Sequence, residues 1–104
     1  METSSGNGFS SLSKIYGKYK NIRQTTETVN EYTVCYYLLK GFVYESGRET
    51  FGILITKSEG DIFIECEYVS DISANQTEAY RIYDILCRNT VTPRCLFDVL
   101  DDLL

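Results

Sequence analysis

The sequence predicts an α+β domain: a three-stranded antiparallel meander in the order 1-2-3, with a C-terminal antiparallel helix pair packed on one face (β-β-β-α-α). Three observations carry this. The stretch Thr50-Phe51-Gly52-Ile53-Leu54-Ile55-Thr56-Lys57 has a turn signal on each side; apolar segments lie beyond both turns; and two helical repeats of apolar residues follow toward the C-terminus.

A chain of 104 residues suits one domain with a modest core, and 43% hydrophobic with 24% charged residues is an ordinary globular composition. Residues 1–29 are rich in Ser, Thr, Gly, Asn and Gln and read as a flexible, weakly basic arm, leaving 30–104 as the folded domain. Lys14, Lys18, Lys20 and Arg23 against Glu2 and Glu27 make the arm +2, so the net charge of -5 leaves -7 on the domain. An acidic body repels phosphate backbones, which argues against a nucleic-acid partner for the folded part. The N-terminus has no secretory signal pattern and no apolar run reaches membrane-spanning length, so a cytoplasmic protein without membrane contact is expected. Cys35, Cys66, Cys87 and Cys95 form no C-x-x-C pair and read as reduced thiols.

Residues 32–44 are dense in Tyr, Val, Leu and Phe, as a strand requires, and Ser46-Gly47 offers a two-residue hairpin loop. Glu59-Gly60 offers a second loop before a strand at 62–69. With both loops tight, Leu38 faces Ile55, Phe42 faces Phe51, and Ile55 faces Ile64. This register puts Val34, Tyr36, Leu38, Phe42, Phe51, Ile53, Ile55, Ile62, Ile64, Cys66 and Tyr68 on the core face, because strand side chains alternate. Asn75, with Glu78 three residues later, marks a helix start; Ala79, Ile82, Tyr83 and Leu86 form its apolar stripe and Asn89 its stop. Thr92-Pro93 opens a second helix with the stripe Leu96, Val99, Leu100 and Leu103.

Tyr37-x-Leu39, Phe51-Gly52-Ile53, Asp71-Ile72-Ser73 and Asn89-x-Val91-x-Pro93-x-x-Leu96-x-Asp98-Val99-x-Asp101-x-Leu103 resemble a family of short uncharacterised proteins, a domain of unknown function, from anaerobic Gram-positive bacteria. The resemblance covers roughly residues 32–104. It implies a small cytosolic domain and supplies no catalytic residue. A His often stands in that family where this chain has Cys95.

With no His, the usual general base is missing, and Ser-His-Asp and Cys-His pairs are excluded by composition. No catalytic residue, cofactor or metal is expected. Asp98, Asp101 and Asp102 share a helix face at a spacing that suits a divalent cation, but a solvated face is the plainer reading, since cation sites draw ligands from several elements. Anions near a helix C-terminus oppose its dipole, which marks these aspartates as a second contact surface. Glu65 and Glu67 are expected on the face away from the helices, solubilising an edge strand. Two pairs among the four cysteines would suit a metal only with closer spacing, and Gly6-Asn7-Gly8 opens no strand-to-helix phosphate loop.

The outer sheet face is the anomaly. The register puts Cys35, Tyr37, Leu39, Val43, Leu54 and Phe63 there, with no helix layer to cover them, and a contiguous apolar patch marks an interface. The expectation is therefore a non-enzymatic protein-interaction module that forms a homodimer through this face, or takes an unknown protein partner there. A folded-back arm carrying Phe9, Leu12, Ile15, Tyr16 and Tyr19 is the other covering. The alternative function is a small regulatory protein that touches nucleic acid through Lys14-Ile15-Tyr16-Gly17-Lys18-Tyr19-Lys20.

Overall fold

The computed structural model describes residues 19–42 and 47–104. Its single antiparallel sheet has four strands, β1 (Lys20–Val29), β2 (Tyr32–Phe42), β3 (Glu49–Glu59) and β4 (Ile62–Ser73), in the order β1-β2-β3-β4. The helix α1 (Gln76–Arg88), a 3-10 turn (Pro93–Cys95) and the helix α2 (Leu96–Leu103) follow.

The three-stranded expectation is thereby corrected: residues 20–29, assigned to the arm by composition, form β1. An edge strand buries little, so Lys-Asn-Ile-Arg-Gln-Thr-Thr-Glu-Thr-Val lacks the apolar density of an inner strand while keeping the β-branched residues that suit one. A two-residue turn at Asn30-Glu31 joins it to β2, with Val29 opposite Tyr32 and Asn30 at φ 59. Asn tolerates that left-handed conformation better than most residues.

Register differs at both inner hairpins. Leu38 lies opposite Ile53 and Tyr36 opposite Ile55, a slip of two residues that leaves the faces unchanged. The connection is centred one residue earlier than a Ser46-Gly47 loop would put it, since β2 stops at Phe42 and β3 starts at Glu49. Between β3 and β4 the turn is Gly60-Asp61, with Gly60 at φ 61, and an irregularity follows between Lys57 and Ser58. Ile55 therefore meets Glu67 rather than Ile64. This slip is odd and exchanges the faces of β4 from Glu65 onward: Cys66 and Tyr68 move to the outer side, while Glu65 and Glu67 come opposite Lys57 and Ile55 on the helix side. Phe42 and Ile62, expected in the core, are 64% and 69% exposed, and Ile64 is exposed as well.

A second bulge restores the core. Phe51 faces Ser73 and Ile53 faces Val69, so Ser70, Asp71 and Ile72 all stand against Gly52. Asp71 takes φ 57, and Ile72 turns inward to join the core. A Cβ on residue 52 would sit 2.9 Å from the Val69 carbonyl oxygen, so the strand needs glycine there.

The helices follow their signals. Asn75 caps α1 by accepting the Glu78 amide at 2.9 Å, and Ala79, Ile82, Tyr83 and Leu86 are buried. At its other end the Val91 amide donates to the Leu86 carbonyl and the Thr90 amide to that of Cys87, a Schellman closure with Thr90 at φ 49. Thr92 precedes the 3-10 turn without a side-chain cap, and Leu96 and Leu100 carry α2 into the core. That core, between the helices and one sheet face, is centred on Tyr36, Leu38, Phe51, Ile53, Ile82 and Leu86.

Candidate functional site

Cys35, Tyr37 and Leu39 alternate with the core residues Val34, Tyr36 and Leu38 and so point to the outer face, where Leu54 joins them. Phe63 stands opposite Ser58 on the same side, half-buried. Val43 lies outside the described residues, as do residues 1–18, including Phe9, Leu12, Ile15 and Tyr16. Among the described residues no helix or second sheet covers this face.

Its centre is nevertheless dry. Leu39 and Leu54 are both 0% exposed and form a small second core with Tyr19, Tyr37, Cys66 and Tyr68 packed around them. The rings of Tyr19 and Tyr68 meet at a centroid distance of 5.9 Å and an interplanar angle of 54°, a favourable tilted geometry. Glycine makes room for both rings: a Cβ on residue 41 would come within 2.8 Å of the Tyr19 ring, and one on residue 52 within 3.3 Å of the Tyr68 ring. Burial, then the hydrogen bond with Tyr19, pushes the Tyr68 phenol well above its ordinary value, so it stays a neutral donor. Burial, then Glu67 and Glu65, likewise raises the Cys66 thiol.

Sequence reasoning missed Tyr68 and Cys66 because of the register exchange, and named Tyr19 as one residue of a folded-back arm, the less favoured covering. The signal was present in Gly41 and Gly52, since a glycine inside a strand marks close approach by another group.

A polar cluster lies under α1. The Tyr83 hydroxyl donates to Thr25 Oγ1 at 2.7 Å and is 3.1 Å from the Tyr36 carbonyl oxygen, fastening α1 to β1 and β2. The Arg23 guanidinium stands over the Tyr80 and Tyr83 rings at 5.2 and 5.9 Å. The buried Tyr36 hydroxyl makes no hydrogen bond among the described residues, and burial, then Cys87 and Glu27, pushes its pKa up to about 12. Burial also raises the Cys87 thiol. Groups held this firmly in their neutral forms suit packing better than proton transfer.

Asp98, Asp101 and Asp102 are exposed on α2, whose last turn carries no basic residue. Among the described residues no group of three or more His, Cys, Asp or Glu side chains is placed to hold a metal ion. All four cysteines are free; Cys95 is exposed and the others are half-buried. No helix among the described residues is long and apolar enough to cross a membrane.

A family model described as a family of unknown function, DUF6514, matches residues 18–104, so β1 lies within the shared region. No curated protein and no solved structure matches the chain.

Proposed function

The chain belongs to DUF6514, a family of unknown function, and from the geometry of its sheet we propose a non-enzymatic, cytosolic protein-interaction module that self-associates through the outer sheet face. The observation that carries this reading is an outer face over which, among the described residues, no helix or second sheet lies. Its aliphatic centre, Leu39 and Leu54, is packed by the chain's own Tyr19, Tyr37, Cys66 and Tyr68, and the half-buried Cys35, Cys66 and Tyr68 edge what it offers a partner. Tyrosine suits that role, giving large contact area for little side-chain entropy while its hydroxyl stays wet. A second copy is the simplest occupant, because a two-fold contact brings the same aromatic rim to both sides. Four free thiols fit a reducing compartment. The alternative, nucleic-acid binding through an aromatic and basic arm, loses Tyr19, whose ring is committed to Tyr68.

The test is absolute mass in solution. The full chain is expected at a multiple of 11.9 kDa, and Tyr37→Lys and Phe63→Lys are each expected to lower that mass, a thermal melt of each variant separating loss of the contact from loss of the fold. Unchanged mass in both variants refutes the outer-face contact. Leu39→Glu is unsuitable here, since it would bury a charge and report unfolding instead.

A further inference from the structure

We propose that the outer edge of β1, the end strand of the sheet among the described residues, is a second self-contact, pairing antiparallel with β1 of another copy about a two-fold axis through Thr25. The proposal rests on the self-associating reading but uses a different surface.

The argument begins with the two sheet edges. β4 is protected: it carries irregularities near both ends, and Glu65 and Glu67 flank Cys66, so two-fold pairing about Cys66 would set carboxylates opposite one another. β1 lacks such protection. From Arg23 to Val29 it pairs regularly with β2, its single irregularity lies at its start, and it contains no Pro. Among the described residues nothing pairs with its other side, which presents an ordered row of backbone donors and acceptors.

The charges on β1 are complementary to themselves. Arg23, Thr25 and Glu27 lie opposite Leu38, Tyr36 and Val34, which puts all three on the helix side of the sheet. Within one strand Arg23 and Glu27 are about 13 Å apart, too far to pair. Among the described residues neither takes part in a salt bridge, and both are exposed. Antiparallel pairing centred on Thr25 puts Arg23 opposite Glu27 of the second copy, and Glu27 opposite its Arg23. Both charges are satisfied at once, and Gln24 meets Thr26 on the outer side. An axis normal to the sheet keeps both helix layers on one side and makes the two outer faces one continuous surface.

The test is light scattering of the full chain in a Tyr37→Lys background, where only the edge contact remains. Edge dimers are expected there. Glu27→Arg and Arg23→Glu each place like charges opposite one another twice and are expected to weaken the dimer on the order of tenfold or more. Mixing the two single variants is expected to restore it, because each strand then meets its opposite charge; the double variant Arg23→Glu with Glu27→Arg does so on its own. A thermal melt identifies any loss of fold in Arg23→Glu, which also leaves the Tyr80 and Tyr83 rings, whereas Glu27→Arg alters only an exposed side chain. The proposal is overturned if the Tyr37→Lys chain is monomeric, if both single variants keep its mass, or if the mixture stays dissociated. None of these results depends on whether Tyr37→Lys itself changed the mass of the parent chain, so the outer-face reading stands or falls separately.

Discussion

Thr50, buried on the outer side of β3, donates its hydroxyl to the carboxylate of Asp71 in the β4 bulge. The bond holds a left-handed aspartate in place and thereby turns Ile72 into the core. Thr50→Val is expected to cost about 1 kcal/mol, the usual net worth of such a bond. Asp71→Ala loses the bond and keeps the backbone strain, so about 2 kcal/mol is expected, whereas Asp71→Gly recovers much of that loss by relieving the left-handed residue. Urea midpoints should fall in that order; equal losses for Ala and Gly would show that the bulge carries no strain.

Two buried tyrosines should respond oppositely to loss of a hydroxyl. Tyr83→Phe removes the bond to Thr25 and the contact with the Tyr36 carbonyl, and should cost roughly 1 to 3 kcal/mol. Tyr36→Phe removes a buried hydroxyl that has no partner among the described residues, and should stabilise by about 1 kcal/mol. In a domain of this size each kcal/mol moves the melting temperature by about 4 to 8 °C. A destabilised Tyr36→Phe would mean that the hydroxyl is satisfied after all.

High pH should unfold the protein through its buried acids. Burial raises the Tyr36, Tyr68 and Tyr83 phenols and the Cys66 and Cys87 thiols in the folded chain. Between the unfolded and folded values the unfolded state holds fewer protons, so stability falls as pH rises. It should be fully present below the ordinary thiol value of 9.0 and phenol value of 10.0, and lost progressively above them. Denaturation midpoints across that range, followed beside the ultraviolet band of tyrosinate, test this; ionisation of every tyrosine ahead of unfolding would contradict it.

Thr90 occupies a position that favours glycine. It closes α1 in the left-handed conformation, where a β-branched side chain is strained. Thr90→Gly should stabilise by about 0.5 to 1 kcal/mol, the relief of strain being partly offset by the greater freedom of glycine in the unfolded chain. A lower melting temperature would show that the Thr90 side chain contributes more than its backbone costs.

The helices were legible in the sequence because their signals are local. The Asn75 cap, the stop at Asn89 and the buried stripe Ala79, Ile82, Tyr83 and Leu86 each depend on residues a turn or two apart. The central strands were legible for the same reason, and the alternation of Val34, Tyr36 and Leu38 survives a slip of two residues. β1 was hidden because what holds it, Tyr83 on Thr25 and Tyr19 on Tyr68, is distant in sequence. The faces of β4 were misread because one residue of irregularity after the Gly60-Asp61 turn exchanges them, and hydrophobic alternation alone does not place a bulge. Cys35, Tyr37, Leu39, Leu54 and Phe63 lie on the side of the sheet where the register put them, while the rings packed on the leucines include Tyr19 and Tyr68.

The bond from Tyr83 to Thr25 spans 58 residues, and this sets an order of events. A chain made from its N-terminus produces β1 and its partner β2 before α1, so this strand can pair early but gains its bond to Tyr83 only once α1 has been synthesised and docked. During that interval a greasy strand would invite misassociation. The Thr, Gln, Arg and Glu side chains of β1 keep it soluble in that interval, a consequence of the same polar composition that suits its place at the edge.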